Sequence, residues 1–447
     1  MRYIVGSMAA LSVAAALCAP SHAQRTAQPS ERSASAAPVK VEPALDGVFG
    51  AFENYPIVAL GDAHGLAEQM DFYSAVVRDP RFARDVRNLV VEFGASSQQY
   101  VIDRYLAGET VPYVELRKVW NDTVGWVPPP AMVGLVKFFA AVRDINKTLP
   151  PDRRIMVWLG EPPLDWTAST RDEIMRAGMA RDTYPAALLR DQILAKGEKA
   201  LVIYGVGHFA ESPMLKGLLD ATHPGAMLAI LPYAPPFASP GCAPLLPEVT
   251  AIWPEPALAT RNPGGATAGQ GGCFTMSMPL MGPPSGAPGP GGPGPGPGGP
   301  RGPGGPGVGA GRQAEFAGPG PGPGGSSGSG GPGGPAGPSA LEGDGVLFLG
   351  PLEKLAQGPQ GPSEALAQGR YLPDYLFDPE LRQEMKRRSD LVGMPLLPPP
   401  PGLAIRKVDY DFELDAPGFR EHIERIFAAH DRDGDGVITD SEYDPLD

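Results

Sequence analysis

The sequence predicts an α/β fold, a mixed and largely parallel sheet with flanking helices, on three observations. Short apolar runs of strand length recur along the chain, they alternate with stretches of helical periodicity, and several end in an acid or a histidine. Strands separated by helices build βαβ units around a parallel sheet.

The first run lies in Pro56–Glu68, PIVALGDAHGLAE. Ile57–Leu60 has the β-branched, apolar character of a buried strand and stops at Gly61-Asp62-Ala63-His64-Gly65, which delivers Asp62 and His64 to the strand's C-terminal edge. In open α/β sheets ligands bind along that edge. From there Leu66, Met70, Tyr73 and Val77 recur at helical intervals, and Glu68 stands one helical turn beyond His64, able to share its face. Read alone, the turn also fits Asp62 as a helix cap and His64 as a satisfied turn histidine.

Asn88–Gly94 is a second strand, ending at Glu92, and Arg154–Glu161 a third, ending at Glu161. Helical patterns cover 95–107, 131–147 and 171–196. Lys199–Phe209, the most apolar run, terminates in Gly-x-Gly-His at His208. Met227–Leu231 and Gly345–Gly350 add strands to the same sheet, and 379–389 a further helix. Between them, 282–339 is dominated by Gly and Pro, is almost uncharged and has no strict triplet repeat. Collagen is therefore excluded, and a disordered insertion within an α/β domain spanning 44–390 is expected.

Residues 1–23 carry one basic residue, an apolar stretch and Ser21-His22-Ala23, the pattern of a cleaved secretory signal, which implies a secreted or periplasmic protein. A Ser-, Ala- and Pro-rich disordered leader is expected over 24–43. No later stretch is long and apolar enough to cross a membrane. Cys242 and Cys273 follow the signal; an oxidising compartment would permit one disulfide between them, and their separation lacks finger-like metal spacing. The formal net charge of −13, with 50 acidic against 37 basic residues, argues against nucleic acid as the main partner.

Beyond a linker at 391–415, residues 431–442 read DRDGDGVITDSE. Asp431, Asp433 and Asp435 supply carboxylates at loop positions 1, 3 and 5, Gly436 permits the sharp turn, Val437 offers a backbone carbonyl, Thr439 reaches the metal directly or through water, and Glu442 closes the loop as a bidentate ligand. A helix with the apolar stripe Phe419, Ile423, Ile426 and Phe427 precedes it. The segment resembles an EF-hand over Gly418–Glu442. Pro445 limits the exiting helix to about one turn, so 416–447 is a truncated hand. It is expected to bind calcium weakly, at roughly 10⁻⁴ to 10⁻³ M, or to pair with a hand from another chain.

His64 and His208, with Asp62, Glu68, Glu92 and Glu161, make a candidate pocket of imidazoles and carboxylates at one sheet edge. Such a set suits general acid/base hydrolysis or a transition metal held through N and O ligands. Each residue also has a structural role open to it, as a cap, a solvated helix acid or a turn residue. Gly61-Asp62-Ala63-His64, Val91-Glu92-Phe93-Gly94, Gly160–Trp166 and Tyr204–Phe209 together resemble the bacterial branch of the superfamily of erythromycin esterases, ChaN-type haem-binding lipoproteins and Tiki/TraB-type metalloproteases. That resemblance covers about 45–390 and implies central roles for His64, Glu92 and His208, with Asp62 in place of the family's usual Glu. It also implies either hydrolysis of a small-molecule or peptide substrate, esterase- or metalloprotease-like, or haem or metal carriage. A non-catalytic, calcium-responsive interaction protein is the third reading.

Overall fold

The computed structural model describes residues 39–125, 132–209, 213–233, 247–261, 275–277, 340–355, 372–393, 396, 398–399 and 401–444. The signal, the leader up to residue 38, the 282–339 tract, Cys242 and Cys273 lie outside the described residues. In chain order the strands are β1 (Val39–Pro43), β2 (Ile57–Asp62), β3 (Arg87–Ala95), β4 (Met156–Glu161), β5 (Lys199–Gly205), β6 (Met227–Pro232), β7 (Ala257–Arg261), β8 (Thr275–Ser277), β9 (Ala340–Glu342), β10 (Gly345–Phe348), β11 (Ala404–Arg406) and β12 (Val437–Thr439).

Eight of them form one sheet in the order β1-β7-β10-β6-β2-β5-β3-β4. Every pairing from β10 to β4 is parallel, and only β7 runs against the rest. The chain is thus an α/β protein with a mostly parallel mixed sheet. Two of these strands carry no clear sequence signal. Val39–Pro43, at the end of the expected leader, instead pairs with β7, and β7 itself is a short run between proline-rich stretches. A separate antiparallel pair, β8 with β9, stands on either side of the Gly/Pro-rich tract.

Side-chain alternation sorts the two faces of the sheet. Val58, Leu60, Leu89, Val91, Leu201 and Ile203 pack into the larger core, whereas Ile57, Ala59, Val90, Ala200, Val202 and Tyr204 pack into a second cluster. The first face is covered by α2 (Ala67–Arg78), α3 (Gln99–Ala107) and α6 (Val133–Thr148). The second is covered by α8 (Thr183–Leu188) and α9 (Leu215–Asp220). The long helical pattern over 171–196 is broken between α7 (Arg171–Met179) and α8. Pro185 sits in the first turn of α8, where it lacks an N–H to donate to a preceding helix. That break creates the turn that carries Arg181 and Asp182. At the open edge of β4, one side chain completes the backbone pairing: Gln99 donates to Val157 O (2.7 Å) and accepts from Leu159 N–H (2.9 Å).

The C-terminal segment is built into this core. Helix α11 (Asp374–Phe377) leads into α12 (Pro379–Val392), and α13 (Phe419–His430) lies beside α11. Phe419, Ile423, Ile426 and Phe427 of α13, together with Ile405 and Ile438, belong to the same buried cluster as Met70, Val91 and Val136. Within the expected linker, β11 pairs antiparallel with β12, setting Ile405 opposite Ile438. Arg143 of α6, almost fully buried, bonds Tyr105 O and Gly108 O (3.2 Å) and reaches Asp415 at 2.7 Å. Among the described residues no helix is long and apolar enough to cross a membrane.

Because Ile438 shares the main core, Ile438→Ala is expected to destabilise the whole α/β unit by about 2–5 kcal/mol. Denaturant unfolding should show one transition moved to lower denaturant. A separate early transition with the main one unmoved would contradict this.

Candidate functional site

Parallel strands place their C-terminal ends along one edge, and β2, β5, β3 and β4 are consecutive neighbours there. Asp62, at the end of β2, is in register with Gly205, at the end of β5. The turn after β2 is held by Gln69, fully buried in α2, which accepts the Ala63 N–H at 2.9 Å and donates to Gly61 O. Its neighbour Glu68 stands half-buried in the first turn of α2.

Asp62 does not cap α2, whose N-cap is Leu66 with no side-chain bond. Instead one carboxylate oxygen lies 2.7 Å from His64 Nδ1 and the other accepts the Tyr73 hydroxyl at 3.2 Å. His208, in the turn after β5, is held in the same way: its Nδ1 lies 2.7 Å from Asp182 Oδ1, an oxygen that also accepts the Leu215 N–H at the start of α9 (2.8 Å).

Both imidazoles turn their other nitrogen toward Glu92. His208 Nε2 is 3.2 Å from Glu92 Oε1 and His64 Nε2 is 3.9 Å from Oε2. Glu92 further accepts the Gly205 N–H on Oε2 and Arg181 Nη2 on Oε1. A β-carbon on Gly205 would lie 3.0 Å from both Glu92 Oε2 and His64 Nε2, so a side chain there would press on both groups. Arg181 continues to Glu161, its Nε 2.6 Å from Oε1, while Glu161 Oε2 accepts the N–H groups of Val124 (3.2 Å) and Gly125 (3.1 Å). The structure therefore gathers Asp62, His64, Glu92, Glu161 and His208 into one network, and adds Arg181, Asp182 and Tyr73. Arg181 and Asp182 carry no local signal in the sequence, since 171–191 holds several Arg and Asp residues and most of the others lie on the surface.

The network sets the protonation of its members. Burial disfavours charge on His64, but the Asp62 hydrogen bond and the Asp62 and Glu92 charges outweigh it and raise its pKa to about 9. His208 is likewise raised to about 9, burial being outweighed by its bonds to Asp182 and Glu92. Burial alone would raise Glu92, yet His208, His64 and Arg181 hold its carboxyl well below the ordinary range. Burial lifts Glu161 above its usual value, and Arg181 offsets this only in part. Burial and the Asp62 charge keep Tyr73 protonated as a donor.

Among the described residues, the one trio of His, Cys, Asp or Glu whose ligand atoms all lie within 4.8 Å of one another is Asp431, Asp433 and Asp435. His64, Glu92 and His208 do not form such a set, and Arg181 occupies the Glu92 oxygen nearest His208. A metal ion bound by both residues there would have to displace Arg181 from that oxygen. In the C-terminal loop, Asp431 accepts N–H groups from Gly434 (2.8 Å), Asp435 (3.1 Å) and Gly436 (2.9 Å), and Gly436 takes a φ of 82° that favours glycine. Glu442 accepts the Arg432 N–H (2.8 Å) and, on its other oxygen, the Thr439 N–H and hydroxyl (both 2.9 Å). Val437 and Thr439 lie in β12, which pairs within the chain. This all-oxygen set suits a hard cation such as calcium.

No protein-family model matches the chain, for the EF-hand or for the esterase superfamily, and no curated protein matches it. Solved structures that resemble part of it include the type III effector HopBA1, at 14% identity over 44% of this chain and 86% of that one, TM-score 0.28. RRSP, a MARTX toxin effector domain from Vibrio vulnificus CMCP6, matches at 18% identity over 40% of this chain and 34% of that one, TM-score 0.26. A Bacillus cereus protein matches at 12% identity over 43% and 69%, TM-score 0.29. Likeness at this level does not extend to a shared site or reaction.

The raised histidines make stability depend on pH. Their folded values of about 9 exceed the ordinary 6.5, so their contribution is fully present below 6.5 and is lost as pH rises through about 9. Denaturant midpoints measured across that window should fall with pH, and the fall should shrink in His208→Ala.

Proposed function

We propose that this is an exported hydrolase whose α/β domain works through its own side chains and whose C-terminal loop binds calcium. One observation carries the hydrolase reading: two imidazoles, each held at Nδ1 by its own aspartate, aim Nε2 at one buried carboxylate. An aspartate on Nδ1 fixes the tautomer and leaves Nε2 to exchange protons with substrate. His64, the more exposed, is the base that takes the proton from an attacking water. His208 is the acid that returns one to the leaving oxygen or nitrogen, its Nε2 exchanging the Glu92 contact for the leaving group. Glu92 is too weak a base to compete for that proton, and its part is to hold both rings in place. Glu161 acts on Glu92 through Arg181.

The mature chain is expected to hydrolyse an activated ester or amide from a substrate panel. His64→Ala should lower the rate by about 10²- to 10⁴-fold. The rate should rise as His64 loses its proton and fall as His208 does, giving a bell near pH 9. Absence of hydrolysis across the panel, or an unaffected His64→Ala, would remove this reading. A Soret band on haem titration would favour haem carriage instead.

The calcium reading rests on three converging aspartates and the Gly436 turn. Calorimetry on the full chain should give a dissociation constant of roughly 10⁻⁴ to 10⁻³ M, with no heat in Asp431→Ala. If wild type shows no heat at millimolar calcium, this reading falls. Calcium binding without hydrolysis or haem binding would leave the interaction-protein reading.

A further inference from the structure

The acids and bases of the network differ in how much of them a substrate can touch. The side chains of Glu161, Asp62 and Glu92 are 1%, 6% and 8% exposed. Those of His64 and Arg181 are 36% and 21% exposed. Asp182 is an exception at 19%, but the Oδ1 it turns inward is shared by His208 and the Leu215 N–H. The face offered to solvent is therefore mainly imidazole and guanidinium, although the chain as a whole is acidic.

Arg181 is built as a fixed fork. Its Nε bonds Glu161 and its Nη2 bonds Glu92, so two buried carboxylates on different strands define the guanidinium plane. Gly125 backs that plane: a β-carbon there would collide with the Arg181 Cζ and Nη2 atoms. Nη1 makes no hydrogen bond with any described residue. A guanidinium locked on two sides, partly exposed and with an amino group that no described residue binds, is preorganised to receive an oxyanion.

We propose that Arg181 anchors the substrate, its Nη1 receiving a carboxylate or phosphate oxygen close to the bond that His64 and His208 act on. The chemical step rests on the hydrolase reading; the binding itself does not. A lysine would keep the charge and lose the fork, since one ammonium cannot span Glu161 and Glu92 and still present a donor outward.

The test uses the mature full-length chain with carbon-13-labelled histidine and nitrogen-15-labelled arginine. It is titrated separately with inorganic phosphate and with acetate, at fixed pH and ionic strength. The expected result is a saturable shift of the Arg181 and His208 signals with at least one probe, and which probe binds more tightly tells phosphate from carboxylate. Arg181→Lys should weaken binding by about tenfold or more. Arg181→Met strands Glu161 in the interior, so Arg181→Met/Glu161→Gln, which keeps that interior neutral, is the second variant and should abolish binding. Wild type that responds to neither probe, or a folded double variant that binds as well as wild type, overturns the proposal. Anion binding that depends on Arg181 without hydrolysis that depends on His64 would remove the hydrolase reading alone. Equal hydrolysis of neutral and anionic esters, unchanged in Arg181→Lys, would remove the anchor alone.

Discussion

The edge of the sheet is organised by the need to keep one buried carboxylate ionised. Glu92 is 7% exposed, and an unpaired charge at that depth costs several kcal/mol. Arg181, His208, His64 and the Gly205 N–H offset it together. Each side-chain partner is itself held by an acid: Glu161 on Arg181, Asp182 on His208, Asp62 on His64. Charges therefore alternate outward from Glu92, and removing any one weakens the compensation of its neighbours. The backbone bond from Gly205 depends on β5 lying between β2 and β3, so sheet order and site chemistry are one constraint.

The wall behind Glu161 continues to the far end of the chain. Asp122, just before the Val124 and Gly125 amides that bind Glu161, accepts Arg388 of α12 at 2.7 Å, and Arg387 bonds Trp166 O at 2.7 Å. On the same helix Arg382 stacks over Tyr443 and bonds Asp444 O. Just before that helix, at the last residue of α11, Phe377 O accepts from Nε2 of His430, the residue before Asp431, at 2.9 Å. A single helix thus touches both the residues that follow the C-terminal loop and the segment that positions Glu161.

Much of this is legible in the sequence because burial leaves a local mark. Strands enclosed on both faces read as continuous apolar runs, and an acid or histidine at the end of such a run stands out, as at Asp62, Glu92, Glu161 and His208. Arg181 and Asp182 are not legible for the converse reason: they lie on a turn among charged surface residues, and what singles them out is contact with strands far away in sequence. The amphipathic stripe of α13 is visible, but a stripe does not name the surface that covers it. Nor can β1 be told from a leader, since its pairing partner lies more than 200 residues downstream.

Gln99 has a consequence of another kind. A parallel sheet that ends at β4 offers backbone donors and acceptors to any extended chain that drifts past, which is how folded proteins come to add strands from one another. Here one amide side chain, giving to Val157 O and taking from Leu159 N–H, answers those groups from within the molecule. The sheet is thereby closed to a ninth strand at that point of its β4 edge.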